Sequence, residues 1–180
     1  MRVLGLDPGS RRTGYGVVER DGSAFRALAH GVIAPPARLD LAHRLHAIAT
    51  RAGEGMDEHR PDAVVVEEAF YHESVRSTLV LGHVRGALLV AAVQRGVALA
   101  EYSPREIKLS VTGSGAASKD QVAFMVRRLL AVKGALPPDA ADALAAALCH
   151  LQRARHSEPA RAMTAAARSL EALLKGRTRR

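Results

Sequence analysis

Ala63-Val64-Val65-Val66 is an unbroken apolar run, mostly β-branched, with no polar residue to turn toward water. Successive side chains of a strand point to opposite faces, so this strand must be covered on both. Burying both faces of a strand calls for a sheet with helices on either side, an α/β fold. The rest of the chain supplies those parts. Val3-Leu4-Gly5-Leu6 reads as a short buried strand stopped by the turn Asp7-Pro8-Gly9-Ser10. Residues 13–19 and 25–33 are β-rich, and Asp21-Gly22 between them is a hairpin signal. The first three strands are therefore expected to be adjacent and antiparallel.

Residues 39–58 follow a helical period through Leu39, Leu41, Leu45, Ile48, Ala49, Ala52 and Met56, and Pro61 ends it. Beyond the Val-rich strand the pattern predicts a helix near 74–95 and a strand at 97–102. A helical turn at 104–111, a glycine-bearing loop at 113–117 and a helix at 119–132 follow. A last helix runs from Pro137-Pro138 to about 153. The order βββ-α-β-α-β-α-α predicts a five-stranded sheet of mixed direction flanked by helices. One domain over 1–154 accounts for all of it.

The 180 residues are 48% hydrophobic, enough for one core, but only 3% aromatic with no Trp, so Ala, Val, Leu and Ile must fill it. The net charge of +8 points to a polyanionic partner, nucleic acid before an acidic membrane surface. That charge is uneven. Residues 151–180 hold eight Arg/Lys against Glu158 and Glu171, whereas the first 150 residues are almost neutral. Residues 155–180 thus read as a basic tail, in which Met163, Ala166, Ala167, Leu170, Leu173 and Leu174 keep helical spacing. The single Cys149 cannot form an internal disulfide and reads as a buried helix residue in a reducing compartment. No apolar run approaches the roughly 18–20 residues of a membrane span, and the N-terminal apolar stretch, broken by Asp7, is too short for a signal peptide. A cytoplasmic, non-membrane protein is expected.

Four acids stand where elements begin or end. Asp7 closes the first strand and Glu67 the Val-rich strand; Asp139 and Asp142 share one face of the first turns of the last helix. If the first and fourth strands are neighbours, Asp7 and Glu67 lie side by side at the carboxyl ends of the sheet, where α/β folds place their sites. Each acid also has an ordinary explanation. Asp7 could seed a turn, Glu67 could be a strand-end surface acid, and Asp139 with Asp142 could cap a helix. Together they are harder to dismiss, because clustered carboxylates repel unless a cation sits among them. Carboxylate oxygens suit Mg²⁺ or Mn²⁺, and two such ions about 3.5–4 Å apart can drive phosphodiester hydrolysis. No phosphate loop, dinucleotide fingerprint or zinc-ligand spacing competes, and His43 with His46 read as surface residues.

The motifs then carry a resemblance. Leu4-Gly5-Leu6-Asp7-Pro8-Gly9-Ser10 with Thr13-Gly14-Tyr15-Gly16 resembles the opening of the RuvC Holliday-junction resolvases. Residues 61–67 with Phe70, the loop Ser114-Gly115-Ala116-Ala117-Ser118-Lys119, and Asp139-Ala140-Ala141-Asp142-Ala143-Leu144 resemble the family's later motifs, in order. The resemblance implies an RNase H-like fold, a homodimer, and Mg²⁺-dependent paired nicking of a four-way DNA junction. It implies Asp7, Glu67, Asp139 and Asp142 as ligands of two Mg²⁺ ions, with Mn²⁺ a possible substitute, and products with 5′-phosphate ends. The branch-migration proteins RuvA and RuvB are implied as partners.

Further residues follow from both routes. Ser118 and Gln121 form a capping-box pattern that puts Lys119 in the first turn of its helix, beside a glycine loop. The resemblance places Lys119 near the scissile phosphate and matches Lys108 to a second lysine. Arg105, Lys108, Lys119, Arg127 and Arg128 could form a face for the DNA backbone. Phe70 and Tyr71 follow Glu67 directly and could stack on an unpaired base at the crossover. The helix near 74–95 is apolar on too many sides for a surface helix. Gly82 and Gly86 would let another helix approach there, and with Leu81, Arg85 and Leu89 they mark the expected dimer contact. The other readings are a related nuclease with another nucleic-acid substrate, a non-catalytic junction binder, and an ATP-hydrolysing sugar-kinase relative.

Overall fold

The structure, a computed structural model, describes residues 1–68 and 74–154. Strands β1 (Arg2–Asp7), β2 (Thr13–Asp21) and β3 (Ala24–Ile33) form an antiparallel meander. Helix α1 (Leu41–His59) crosses to β4 (Ala63–Glu67), and helix α2 (Val75–Gln94) leads to β5 (Ala98–Tyr102). Helices α3 (Pro104–Thr112), α4 (Lys119–Leu130) and α5 (Pro138–Arg153) complete the domain. The sheet order is β3-β2-β1-β4-β5, with β1, β4 and β5 parallel. The expected mixed five-stranded sheet is present, and the expected element ends hold to within about two residues.

Strand alternation sorts the core into two halves. Val3, Ala63, Val65 and Val18 point to the face covered by α3, α4 and α5; Leu4, Leu6, Val64, Val66 and Val17 point to the face of α1 and α2. The Val-rich β4 is buried on both sides, as its composition demands. Cys149 is a buried free thiol in α5. The segment expected as a helical turn near 104 is a full nine-residue helix. Ser103 and Glu106 form a capping box and Pro104 occupies the first turn, so the start signal was present in the sequence.

Helix α5 packs unusually close to the sheet, and glycine makes the approach possible. A Cβ on Gly5 would stand 1.9 Å from the Ala143 carbonyl oxygen, and one on Gly14 would stand 1.9 Å from that of Asp139. At Gly16 the clash would be with the Leu144 side chain, at 2.6 Å. The glycines of β1 and β2 thus form a backbone trough that seats the first turns of α5. Gly14→Ala should push that end of α5 off the sheet. We expect a loss of about 1–3 kcal/mol in stability by thermal melting, with a disproportionate loss of divalent-cation binding. A variant of wild-type stability and cation affinity would show that the trough does not position the helix.

Helix α2 is covered on one side only within the chain. Only Val84, Leu88, Ala91 and Ala92 of it are buried, while Leu79, Val90 and Val93 are each more than half exposed. It is not buried all round within one chain. By length and composition α2 is also able to cross a membrane, although His and Arg interrupt its apolar run. Arg85 is ion-paired to Glu101 of β5, and Leu89 packs against the core on the α1 side. A Cβ at Gly82 or Gly86 would meet nothing within 4 Å, so both open onto free space.

Candidate active site

The parallel pairing of β1 and β4 sets Leu6 beside Val66, and the next residues in register are Asp7 and Glu67. Residues Val3, Gly5 and Asp7 share one face of β1; Ala63, Val65 and Glu67 share the same face of β4. Both carboxylates therefore look toward α5, whose first turns carry Asp139 and Asp142. Glu68 falls on the opposite alternation, and its backbone N–H donates to the Tyr102 carbonyl.

Asp139 does stand in the first turn of α5, where an acid suits the helix dipole, but two of the ordinary explanations for these acids do not hold in the structure. Helix α5 is entered through Pro137 with no side-chain cap, so neither aspartate is spent on capping. The turn after Asp7 is closed by Thr13, whose buried hydroxyl donates to the Gly9 carbonyl at 2.7 Å. Asp142 instead accepts from Lys119 Nζ at 3.1 Å, and Asp139 Oδ2 accepts from Arg12 Nε at 2.7 Å. Lys119 stands where its sequence predicts. Ser118 accepts from the Gln121 N–H, and the Gln121 side chain answers the Ser118 N–H.

Burial and mutual repulsion have electrostatic consequences. Asp7 is pushed up to about 8, first by burial and then by Glu67 and Asp142, with Lys119 opposing. Glu67 is pushed up to about 7, again first by burial and then by Asp142, with Lys119 and Lys108 opposing. Lys119 is raised by its hydrogen bond to Asp142 and by the acids around it. Asp7 thus senses the charge of Glu67, Asp142, Asp139 and Lys119, and Glu67 that of Asp142, Lys119 and Lys108.

Among the described residues, no three His, Cys, Asp or Glu side chains are gathered around one point as ligands. The two helix acids are turned onto Lys119 and Arg12. The donor chemistry nevertheless fits a hard divalent cation. Every donor is a carboxylate oxygen. The two inner acids are held up by burial and repulsion that the nearby lysines only partly offset.

The other expected residues divide. The Arg105 stem lies against Gly115 in the loop before Lys119. Arg127 donates to the Gly134 carbonyl at 2.7 Å, closing the turn after α4. Arg127 and the exposed Arg128 thus sit at the end of α4 opposite Lys119. Phe70 and Tyr71 lie outside the described residues, as does the basic tail from residue 155. Arg12 was missed by sequence reasoning. Its only signal was the doubled Arg11-Arg12 directly after the Asp7 turn.

Residues 3–150 match the family model for the crossover junction endodeoxyribonuclease RuvC. The chain belongs to the RuvC family. A RuvC from Hyphomonas neptunium is 51% identical over 149 residues, covering 83% of this chain and 89% of its own. Another from Halorhodospira halophila is 49% identical over 167 residues, covering 93% and 98%. Among solved structures, Thermus thermophilus RuvC in complex with a Holliday junction substrate superposes with a TM-score of 0.82 at 38% identity. That match covers 87% of this chain and 96% of the other. The yeast mitochondrial resolvase Ydc2 shares the fold at a TM-score of 0.60 and 15% identity. The RNase H-like architecture implied by the motifs is therefore the one observed.

Proposed function

We propose that this chain is a structure-selective endonuclease that resolves four-way DNA junctions by paired, symmetric nicking in recombination and repair. The observation that carries the reading is the meeting of Asp7, Glu67, Asp139 and Asp142 with Lys119 at the carboxyl end of the sheet, in a RuvC-family chain. Residues 1–154 form the nuclease domain and 155–180 a basic tail.

In this reading the four carboxylates hold Mg²⁺, two ions per site, with Mn²⁺ able to substitute. Bound there, the ions supply activation of the attacking water and stabilisation of the leaving oxygen. The chain's own residues do the rest. Asp7 and Glu67, fixed to adjacent strands, give the site a rigid floor. The short α5 turns seated on Gly5 and Gly14 bring the other two acids over it. Lys119 is an exposed cation at a helix N-terminus and neutralises charge that builds on the scissile phosphate. Lys108 supplies a second positive charge beside Glu67. Arg105 and Lys108, with Arg127 and Arg128 farther along α4, offer contacts for the DNA backbone. Products would carry 5′-phosphate and 3′-hydroxyl ends.

Paired nicking needs two sites, and α2 offers the means. Its exposed Leu79, Val90 and Val93, with Gly82 and Gly86 opening onto free space, suit a second copy packing by two-fold symmetry. Leu81 sits on this helix beside Gly82, while Arg85 and Leu89 turn partly inward. A homodimer in the cytoplasm, working with RuvA and RuvB, completes the proposal. Phe70 and Tyr71 would stack on bases at the crossover; Phe70→Ala should lower the nicking rate about tenfold or more while junction affinity falls less. Equal loss of both would return Phe70 to a binding or packing role.

The reading is tested with labelled four-way junction, plain duplex and RNA–DNA hybrid, each with and without Mg²⁺. Paired nicks confined to the junction and to Mg²⁺ are expected. Equal cutting of duplex or hybrid would point to another nuclease, and binding without cutting to a junction-binding protein.

A further inference from the structure

Two cations are bonded to the four carboxylates of this site, and they are distributed unevenly. Both engage the acids on α5: Lys119 engages Asp142, and Arg12 engages Asp139. Asp7 and Glu67 on the sheet feel Lys119, and Glu67 also Lys108, only as charges that partly offset burial and repulsion. Arg12 differs from Lys119 in its setting. It lies in the turn between β1 and β2, and its side chain is 55% exposed while that of Asp139 is 28% exposed. The bond is made through Nε, so neither Nη takes part in it. Arg12 is a monovalent competitor for that carboxylate, and a cation of higher charge can displace it.

Asp139 Oδ2 is an oxygen that a divalent cation at this site would need, and Arg12 occupies it. We propose that Arg12 is the resident counter-cation of the site: it holds Asp139 until a divalent cation displaces it, and its guanidinium then binds a DNA phosphate at the rim. The inference rests on the reading of Asp139 as a metal ligand. Before loading, Arg12 offsets one of four converging negative charges and keeps the Asp139 carboxylate oriented. After loading, the same side chain is a free planar fork at the mouth of an acidic pocket, matched to phosphate oxygens. Metal loading and DNA grip would thereby be linked, because Nε cannot serve Asp139 and a phosphate at once and the bond to Asp139 fixes where the two Nη donors point. The short chain path from Asp7 to Arg12 keeps the released guanidinium within the site's surroundings.

The first test uses the full chain without DNA and reads free Mn²⁺ by electron paramagnetic resonance. Arg12→Ala should bind Mn²⁺ about three- to tenfold more tightly than wild type, because a competitor is gone. Arg11→Ala removes the same charge from an exposed neighbour and should change Mn²⁺ affinity less than about twofold. The second test reads junction affinity in Ca²⁺, under conditions where no nicking is detected, and again in chelator. Arg12→Ala should weaken binding about three- to tenfold in Ca²⁺, with a shallower salt dependence, and less than about twofold in chelator. Unchanged Mn²⁺ affinity in Arg12→Ala, alongside lost affinity in Asp139→Asn, would overturn the inference and leave the site reading standing. Retained Mn²⁺ affinity in Asp139→Asn would remove the ligand reading and the inference with it. Equal tightening in Arg11→Ala would reduce the effect to bulk charge and also overturn it.

Discussion

Asp7→Asn should abolish nicking of a synthetic four-way junction, by at least about a thousandfold, while the junction still binds within about twofold of wild type. The carboxylate closes β1 beside Glu67 and faces both acids of α5, so it is the one acid coupled to all the others. Asparagine keeps the shape of the side chain and removes the charge that a divalent cation would bind. DNA affinity depends on phosphate contacts made by basic side chains, and losing one buried acid does not weaken those. The same substitution should stabilise the protein in chelator, since the buried charge at Asp7 opposes folding. Cleavage retained near the wild-type rate would remove Asp7 from the chemistry. Loss of binding in parallel would mark it as structural.

The metal-free protein should lose stability as pH rises, which reverses the usual behaviour of paired acids. Asp7 lies near 3.8 when unfolded and about 8 when folded; Glu67 moves from near 4.5 to about 7. A raised carboxylate pKa means the folded state binds more protons than the unfolded chain between those values. The stabilisation is fully present below the unfolded values and is lost as pH climbs through the folded ones. His150 shifts the other way, downward through burial, and acts below about 6.5. The clean window is therefore pH 6.5 to 8.5. Across it the two acids are expected to cost on the order of 2–3 kcal/mol, lowering the melting temperature by roughly 5–10 °C in chelator. Saturating Mg²⁺ or Mn²⁺ should restore most of the loss, and Asp7→Asn should flatten the slope. A melting temperature that is level or rises across this window in chelator would contradict the electrostatics described for the site.

Much of this site is written locally in the chain. β4 has to be buried on both faces because nothing in Ala63-Val64-Val65-Val66 is polar. Parallel pairing with β1 then puts Asp7 beside Glu67, because both end their strands on the same alternation. Lys119 is placed by its capping box alone. What the sequence hides depends on distant backbone. The seat of α5 comes from Gly5 and Gly14 meeting carbonyls of Ala143 and Asp139, more than a hundred residues away. In the sequence, Gly14 could equally have marked a bulge or a turn. Arg12 is invisible for the same reason: one of two exposed arginines in a turn, it gains meaning only when α5 arrives. For helix α2 the sequence signals a need for cover on more than one side, but apolar composition does not tell burial by the chain's own core from burial by a partner. Nor does the sequence around Arg127 signal that it holds the Gly134 carbonyl in the turn after α4.

Anomalous diffraction from crystals of the Asp7, Glu67, Asp139 and Asp142 protein soaked in Mn²⁺ with a bound junction tests the central proposal most directly. Two peaks are expected among these carboxylates, each about 2.0–2.2 Å from at least one of their oxygens, with Arg12 withdrawn from Asp139. A crystal that binds the junction, shows Mn²⁺ elsewhere and leaves Lys119 and Arg12 on their aspartates would contradict it.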